Sequence, residues 1–256
     1  MKSWNSKRVI FVLLAFLTLS ACVTTIDGPD RKPANQADRL NAHLNLGRGY
    51  LSKRNYAGAR APLEKALQTD PGSTEAHVLM AILNEGEDEP KLAERQYQQA
   101  LKLDSEHPMA LSNYGRFLHS KGRTDEALRY LRKAVNVSGY SGRALAYQNL
   151  GLAELQAGST EVAKAAFLRA LTFDPAQYVS VIELADIAFS DRDFVSAKKH
   201  YDFYSSRVKQ GARSLWLGIQ LERRFNDPDK LASYELALKN LFPASPEYLL
   251  YKESLD

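Results

Sequence analysis

The sequence predicts an all-α solenoid, a stack of helix-turn-helix pairs, and three observations predict it. The first is a recurrence of small and large residues with a period of 34. Leu46-Gly47-x-x-Tyr50, Ala59, Leu63, Ala66 and Pro71 open the pattern, and Ala81, Ala93, Tyr97 and Ala100 repeat it. Gly115, Ala127, Leu131 and Ala134 follow, then, after a two-residue slip, Gly151, Ala163, Phe167, Ala170 and Pro175. The second is where the small residues fall. Gly47, Ala81, Gly115 and Gly151 lie mid-way along a first helix, and Ala59, Ala93, Ala127 and Ala163 on a second, so the two can approach closely. Large residues four positions later (Leu63, Tyr97, Leu131, Phe167) are expected to fill the gap between neighbouring pairs. The third is the Asp-Pro at 70–71 and 174–175. Proline lacks a backbone donor and restricts the residue before it, so each stops a second helix. One pair cannot bury its apolar face alone; stacking buries it and leaves a concave surface.

Small, small, aromatic or leucine, small, proline at this period is the tetratricopeptide pattern. The expected fold is a right-handed superhelical solenoid of about six such repeats with a C-terminal capping helix. The expected units are 40–73, 74–107, 108–141, 144–177, 178–211 and 212–245. The second unit departs from the pattern at Asn84 and Ser105. In the fifth, Leu184, Ala185, Ala197 and Tyr201 keep it, but Tyr204 stands where alanine is expected, which predicts wider packing onto the next pair. In the sixth, Trp216 suits the first helix and Ala232 and Leu236 the second, with an extra turn around Asn226-Asp227-Pro228. Glu247 to Leu255 is expected to close the last apolar face, since terminal repeats need a cap.

The formal charge is +4, from 34 Lys+Arg and 30 Asp+Glu. Removing Lys2, Lys7 and Arg8, which lie in a segment expected to be cleaved, leaves 31 against 30. A near-neutral remainder without a dense basic run argues against nucleic acid as a partner.

The chain opens with a basic stretch to Arg8 and an apolar run from Val9 to Leu19, the length of a secretory h-region and short for a bilayer span. It ends in Leu19-Ser20-Ala21-Cys22, which resembles the bacterial lipobox. Residues 1–21 are then a lipoprotein signal peptide and Cys22 the lipidated N-terminus; the alternative is an ordinary signal peptide with an incidental cysteine. Cys22 is the one cysteine in the sequence, so no internal disulfide forms. Val23 after it favours the outer membrane, where aspartate would favour retention in the inner one. Residues 22–39, with Gly28, Pro29 and Pro33, read as a flexible tether, and 40–256 as the solenoid.

Little in the sequence is catalytic. It has no His-Glu-x-x-His, phosphate-binding glycine loop or nucleophile elbow. His43 and His77, 34 residues apart, fill the same first-helix place and suit packing better than metal ligation. Glu85, Glu87, Asp88 and Glu89 form an acidic cluster that reads as a solvated turn, because its oxygen spacing fits no known cation loop. No enzyme activity, cofactor, metal or small-molecule substrate is expected. The function is expected on the concave face, where the second, fifth, ninth and twelfth positions of the first helices point inward. These are Asn41, Leu44, Arg48 and Leu51, then Val78, Ile82 and Glu85, then Ser112, Arg116 and His119, then Gln148, Leu152 and Leu155. The expected partner-binding groove comprises Leu44, Arg48, Leu51, Val78, Ile82, Ser112, Arg116, Gln148 and Leu152. Being partly apolar, it suits a helix or extended segment of a partner. The alternative is that some of these leucines pack within their own pair.

Five segments are more specific than the repeat pattern: Leu-Ser-Ala-Cys at 19–22, Asn-Tyr-Gly-Arg-Phe-Leu at 113–118, Tyr-Gln-Asn-Leu-Gly-Leu at 147–152, Ser-Leu-Trp-Leu-Gly-Ile at 214–219 and Phe-Pro-Ala-Ser-Pro-Glu at 242–247. In these the chain resembles the tetratricopeptide lipoproteins of type IV pilus biogenesis, called PilF or PilW, over most of its length. The resemblance implies a pilotin: a lipid-anchored protein on the periplasmic face of the outer membrane that binds the pilus secretin, PilQ, and promotes its insertion and multimerisation. Pilus display and twitching motility would then depend on it. Some members carry a pair of bridged cysteines where this sequence has His119 and Ala153, so any stability from that bridge is absent here. The competing expectation is a repeat scaffold for another envelope assembly machine.

Overall fold

The structure is a computed structural model and describes residues 35–255. The expected signal peptide, the lipidation site at Cys22 and most of the expected tether lie outside the described residues. Thirteen helices and no strands occur among the described residues. They pair as α1 (Gln36–Ser52) with α2 (Tyr56–Thr69), α3 (Thr74–Gly86) with α4 (Pro90–Leu103), and α5 (Pro108–Ser120) with α6 (Thr124–Asn136). The next pairs are α7 (Arg143–Gln156) with α8 (Thr160–Phe173), α9 (Tyr178–Ser190) with α10 (Phe194–Ser205), and α11 (Ala212–Phe225) with α12 (Pro228–Leu241). A short α13 (Pro246–Glu253) follows. This is the tetratricopeptide solenoid of six units and a closing helix. Its first helix begins at Gln36, four residues before the expected boundary at 40, with Asn35 Oδ1 accepting from the Asp38 amide at 2.8 Å.

Side-chain caps place the boundaries. Asn55, Ser73, Asp193, Asp227 and Ser245 each accept a backbone N–H of the first turn that follows, at 2.9–3.2 Å. Such a cap satisfies one of the amides that a helix start leaves without a partner. At the other end, α2 and α8 stop at the residue before Asp70-Pro71 and Asp174-Pro175, as the proline argument requires.

No single centre holds this fold. Apolar clusters run from unit to unit: Leu44, Leu63 and Leu79 join units one and two, and Val78, Tyr97, Leu111 and Leu131 join two and three. Phe167 with Leu184 joins four and five, and Tyr201 with Leu217 joins five and six. The large second-helix residues do more than fill gaps between pairs. Leu63, Leu131 and Phe167 lie directly over Gly47, Gly115 and Gly151 of their own first helices. Tyr97 also reaches the next unit, with ring centroids 5.6 Å from Tyr114 and 5.7 Å from Phe117.

The sixth unit corrects the expected register. Ala232 and Leu236 are exposed, whereas Tyr234 packs over Gly218 and Leu238 is fully buried. Tyr234 lies sixteen residues after Gly218, the spacing of Leu63 from Gly47 in unit one. The cause is local: Asn226 ends α11 in the left-handed conformation and Asp227-Pro228 starts α12 at once. Closure is by Tyr248 and Tyr251 of α13, which join Trp216 over the Leu215–Ile219–Leu238 cluster, with Trp216 and Tyr251 edge-on at 6.5 Å.

Candidate functional site

The expected groove positions do not share one environment. The fifth positions, Leu44, Val78, Ser112 and Gln148, are buried in all four units, from 0% exposed at Val78 to 8% at Gln148. The next unit's first helix covers them: Leu44 packs in a cluster with Ala76, Leu79 and Met80, and Val78 in one with Ala110 and Leu111. These four therefore hold the stack together and offer a partner no surface. The ninth and twelfth positions stay accessible. Arg48 is exposed; Leu51, Ile82, Glu85, Arg116, His119, Leu152 and Leu155 are half-buried. Asn41, at a second position, is exposed.

The charges at these positions are spent on one another. Arg48 pairs with Glu75 of the next unit and also donates to Asn45 at 2.8 Å. Arg116 Nη2 donates to Glu85 Oε1 at 2.7 Å, and the Tyr97 hydroxyl donates to the same carboxylate. Burial, then the Glu85 charge, push the Tyr97 phenol well above its ordinary value, so it stays a donor. Further pairs tie units together at Arg60–Glu87, Arg123–Glu94 (2.5 Å) and Arg132–Glu154 (2.8 Å), where Glu154 is 1% exposed. Sequence reasoning missed this network. Its signal was a basic residue and an acidic one 22 to 31 positions apart, in either order.

The acidic cluster disperses. Glu85 faces Tyr97 and Arg116, Glu87 faces Arg60, and Asp88 takes the left-handed conformation the turn needs, with φ of 59°. His77 bridges Gln96 (2.7 Å) and the Pro71 carbonyl (3.1 Å), a packing role. Burial lowers the pKa of His119, whose buried Nδ1 has no hydrogen-bond partner among the described residues.

A polar seam joins units five and six. Arg213 Nη1 donates to Glu183 Oε1 at 2.6 Å and Nη2 to Glu183 Oε2 at 2.8 Å, and Arg213 also pairs with Asp186. Lys198 Nζ lies 2.6 Å from Asp202 and 3.2 Å from Glu222, whose side chain is fully buried. Tyr204 is half-buried beside this seam, against the Tyr201–Leu217 cluster. The geometry provides a rigid stack with accessible apolar side chains and internally neutralised charge, which suits binding of a protein segment.

Comparison with known proteins agrees with this. The tetratricopeptide repeat family profile matches residues 107–176. The chain is 39% identical over 242 residues to the type IV pilus assembly protein PilF of Pseudomonas aeruginosa, covering 94% of this chain and 96% of that protein. A solved structure of P. aeruginosa PilF matches with a TM-score of 0.81 at 39% identity, over 86% of this chain and 99% of that one. The crystal structure of PilW, a widely conserved type IV pilus biogenesis factor, matches with a TM-score of 0.70 at 27% identity, over 85% and 99% of the two chains.

Proposed function

The chain belongs to the PilF family of type IV pilus assembly proteins, and from that premise we propose that it is an outer-membrane lipoprotein pilotin. It is anchored through Cys22 on the periplasmic face, binds the pilus secretin (PilQ) and promotes its outer-membrane localisation and multimerisation. The observation that carries this reading is a six-unit repeat stack matching PilF over 94% of the chain, with no other domain among the described residues. The work done is tethering. A subunit held by an anchored scaffold is concentrated at the membrane without any chemical step, and an effective concentration in the millimolar range is typical of short tethers. Twitching motility follows from secretin assembly and would be lost with it.

Within the stack, the surface offered to the secretin is the accessible ninth and twelfth positions, Arg48, Leu51, Ile82, Arg116 and Leu152 among them. Leu44, Val78, Ser112 and Gln148 act behind them by fixing the spacing of the units. Cys22→Ala tests the anchor. The expected product is a folded but mislocalised protein with less secretin in the outer membrane; an unchanged secretin location would remove the anchoring step.

A further inference from the structure

A cleft of about 300 Å³ opens between units four and five, lined by Leu171, Pro175, Val181, Lys199, His200 and Phe203. It is built by four separate pieces of the chain: the end of α8, the Asp174-Pro175 turn, α9 and α10. Its apolar wall is accessible at Phe203, 36% exposed with Tyr178 beside it at a ring distance of 6.3 Å, and at half-buried Leu171, while Val181 is buried behind them at 2%. Its rim is cationic. The Arg207 guanidinium stacks on the Phe203 ring at 3.9 Å, donating through Nη1 to the Phe203 carbonyl and Ser206 and leaving Nε and Nη2 without a described acceptor. No described carboxylate lies within ion-pair distance of Lys199 or Arg207, whereas Arg48, Arg116, Arg123, Arg132 and Arg213 are each spent on one.

We propose that this cleft is a second docking site, taking an extended protein segment that carries one large apolar side chain flanked by carboxylates. The apolar side chain fills the space against Leu171, Val181 and Phe203. Carboxylates meet Lys199 and the free edge of Arg207, where stacking on the ring has already fixed the guanidinium plane for a bidentate contact. A cation held over an aromatic beside an open apolar hollow is the composition of an interface centre. The site is built by α8, the turn after it, α9 and α10, apart from the groove positions on the first helices of units one to four, and does not depend on the secretin reading.

The test is a random heptapeptide display selection on the full chain, immobilised in detergent, with affinities of enriched peptides measured by fluorescence anisotropy. Enriched peptides are expected to place two or more carboxylates around one Trp, Phe or Leu. Their binding is expected to weaken at least tenfold in Lys199→Glu/Arg207→Glu, to fall with rising salt, and to be unchanged in Arg48→Ala. Both cations are exposed, so the reversal leaves the fold intact, and a melting curve checks this. Phe203→Ser is a second variant with the same expected loss. No enrichment, enrichment without carboxylates, or equal affinity for the reversed-charge variant would overturn the proposal. A concentration-dependent dimer in sedimentation that the reversal abolishes would assign the cleft to a second copy of the chain and overturn it equally.

Discussion

Leu131 lies directly over Gly115. A methyl group placed on Gly115 would come within 2.6 Å of Leu131 Cγ and 3.3 Å of the Ala127 carbonyl oxygen. The absence of a side chain at 115 is therefore what sets the distance between α5 and α6. Gly115→Leu forces this pair apart. Overpacking a close helix contact costs about 1–3 kcal/mol, and for a chain of this size each kcal/mol lowers Tm by about 2–4 °C. Thermal unfolding followed by circular dichroism is expected to show this drop. An unaltered Tm would contradict the registration of unit three.

The split between fifth and ninth positions predicts two separable outcomes. Val78→Ala removes fully buried methyl groups between units two and three and is expected to destabilise by about 1–3 kcal/mol. Arg48→Ala removes an exposed ion pair and is expected to cost under about 1 kcal/mol. Denaturant melts of the two variants give the comparison. Equal losses would mean that Val78 is not an inter-unit residue.

Glu222 is fully buried and its charge is met by Lys198 Nζ at 3.2 Å. Lys198→Met leaves that carboxylate unpaired inside the fold, a change that typically costs about 3–5 kcal/mol. Adding Glu222→Gln is expected to recover most of the loss, because the uncompensated charge is then gone. A double variant no more stable than Lys198→Met would show that Lys198 acts through Asp202 instead.

Asp186 gives the seam a pH dependence. Burial, joined by the Glu183 charge, outweighs Arg213 and raises its carboxyl from 3.8 to about 6. Between these values the folded state holds a proton that the unfolded state has released. Stability therefore falls as pH rises from about 4 to about 6 and is level above that, as far as this group is concerned. Asp186→Asn is expected to flatten that slope in melts taken across the window. A slope that persists in the variant would place its origin elsewhere.

The pairing of small and large residues was legible because helix geometry makes it periodic. Gly47 and Leu63, like Gly151 and Phe167, announce their places by spacing alone, but the expected role of the large residue was to fill the gap between pairs, and the structure sets it over the glycine of its own pair. The sixth unit was misread at Ala232 and Leu236 because alanine was sought on the second helix, and that place is filled by exposed Lys230. Counting sixteen from Gly218 would have found Tyr234. The groove was harder. Leu44 and Arg48 lie on nearly the same face of α1, and their difference in burial comes from how α3 crosses it, which no residue of α1 encodes. The cleft of units four and five was legible only in part. It brings Leu171 to Phe203 across a turn and two helices; Leu171 keeps the apolar place of Leu67 and Leu101, and the one signal was Phe203 standing where Lys65, Gln99, Lys133 and Arg169 are polar.

The most direct measurement of the central claim is the fate of the secretin in a strain lacking this chain. Membranes are fractionated, and the heat-resistant secretin multimer is followed on a gel. The account predicts that multimers are missing, or that monomers are stranded in the inner membrane, with bulk porin assembly normal. Normal multimers in the outer membrane would contradict it.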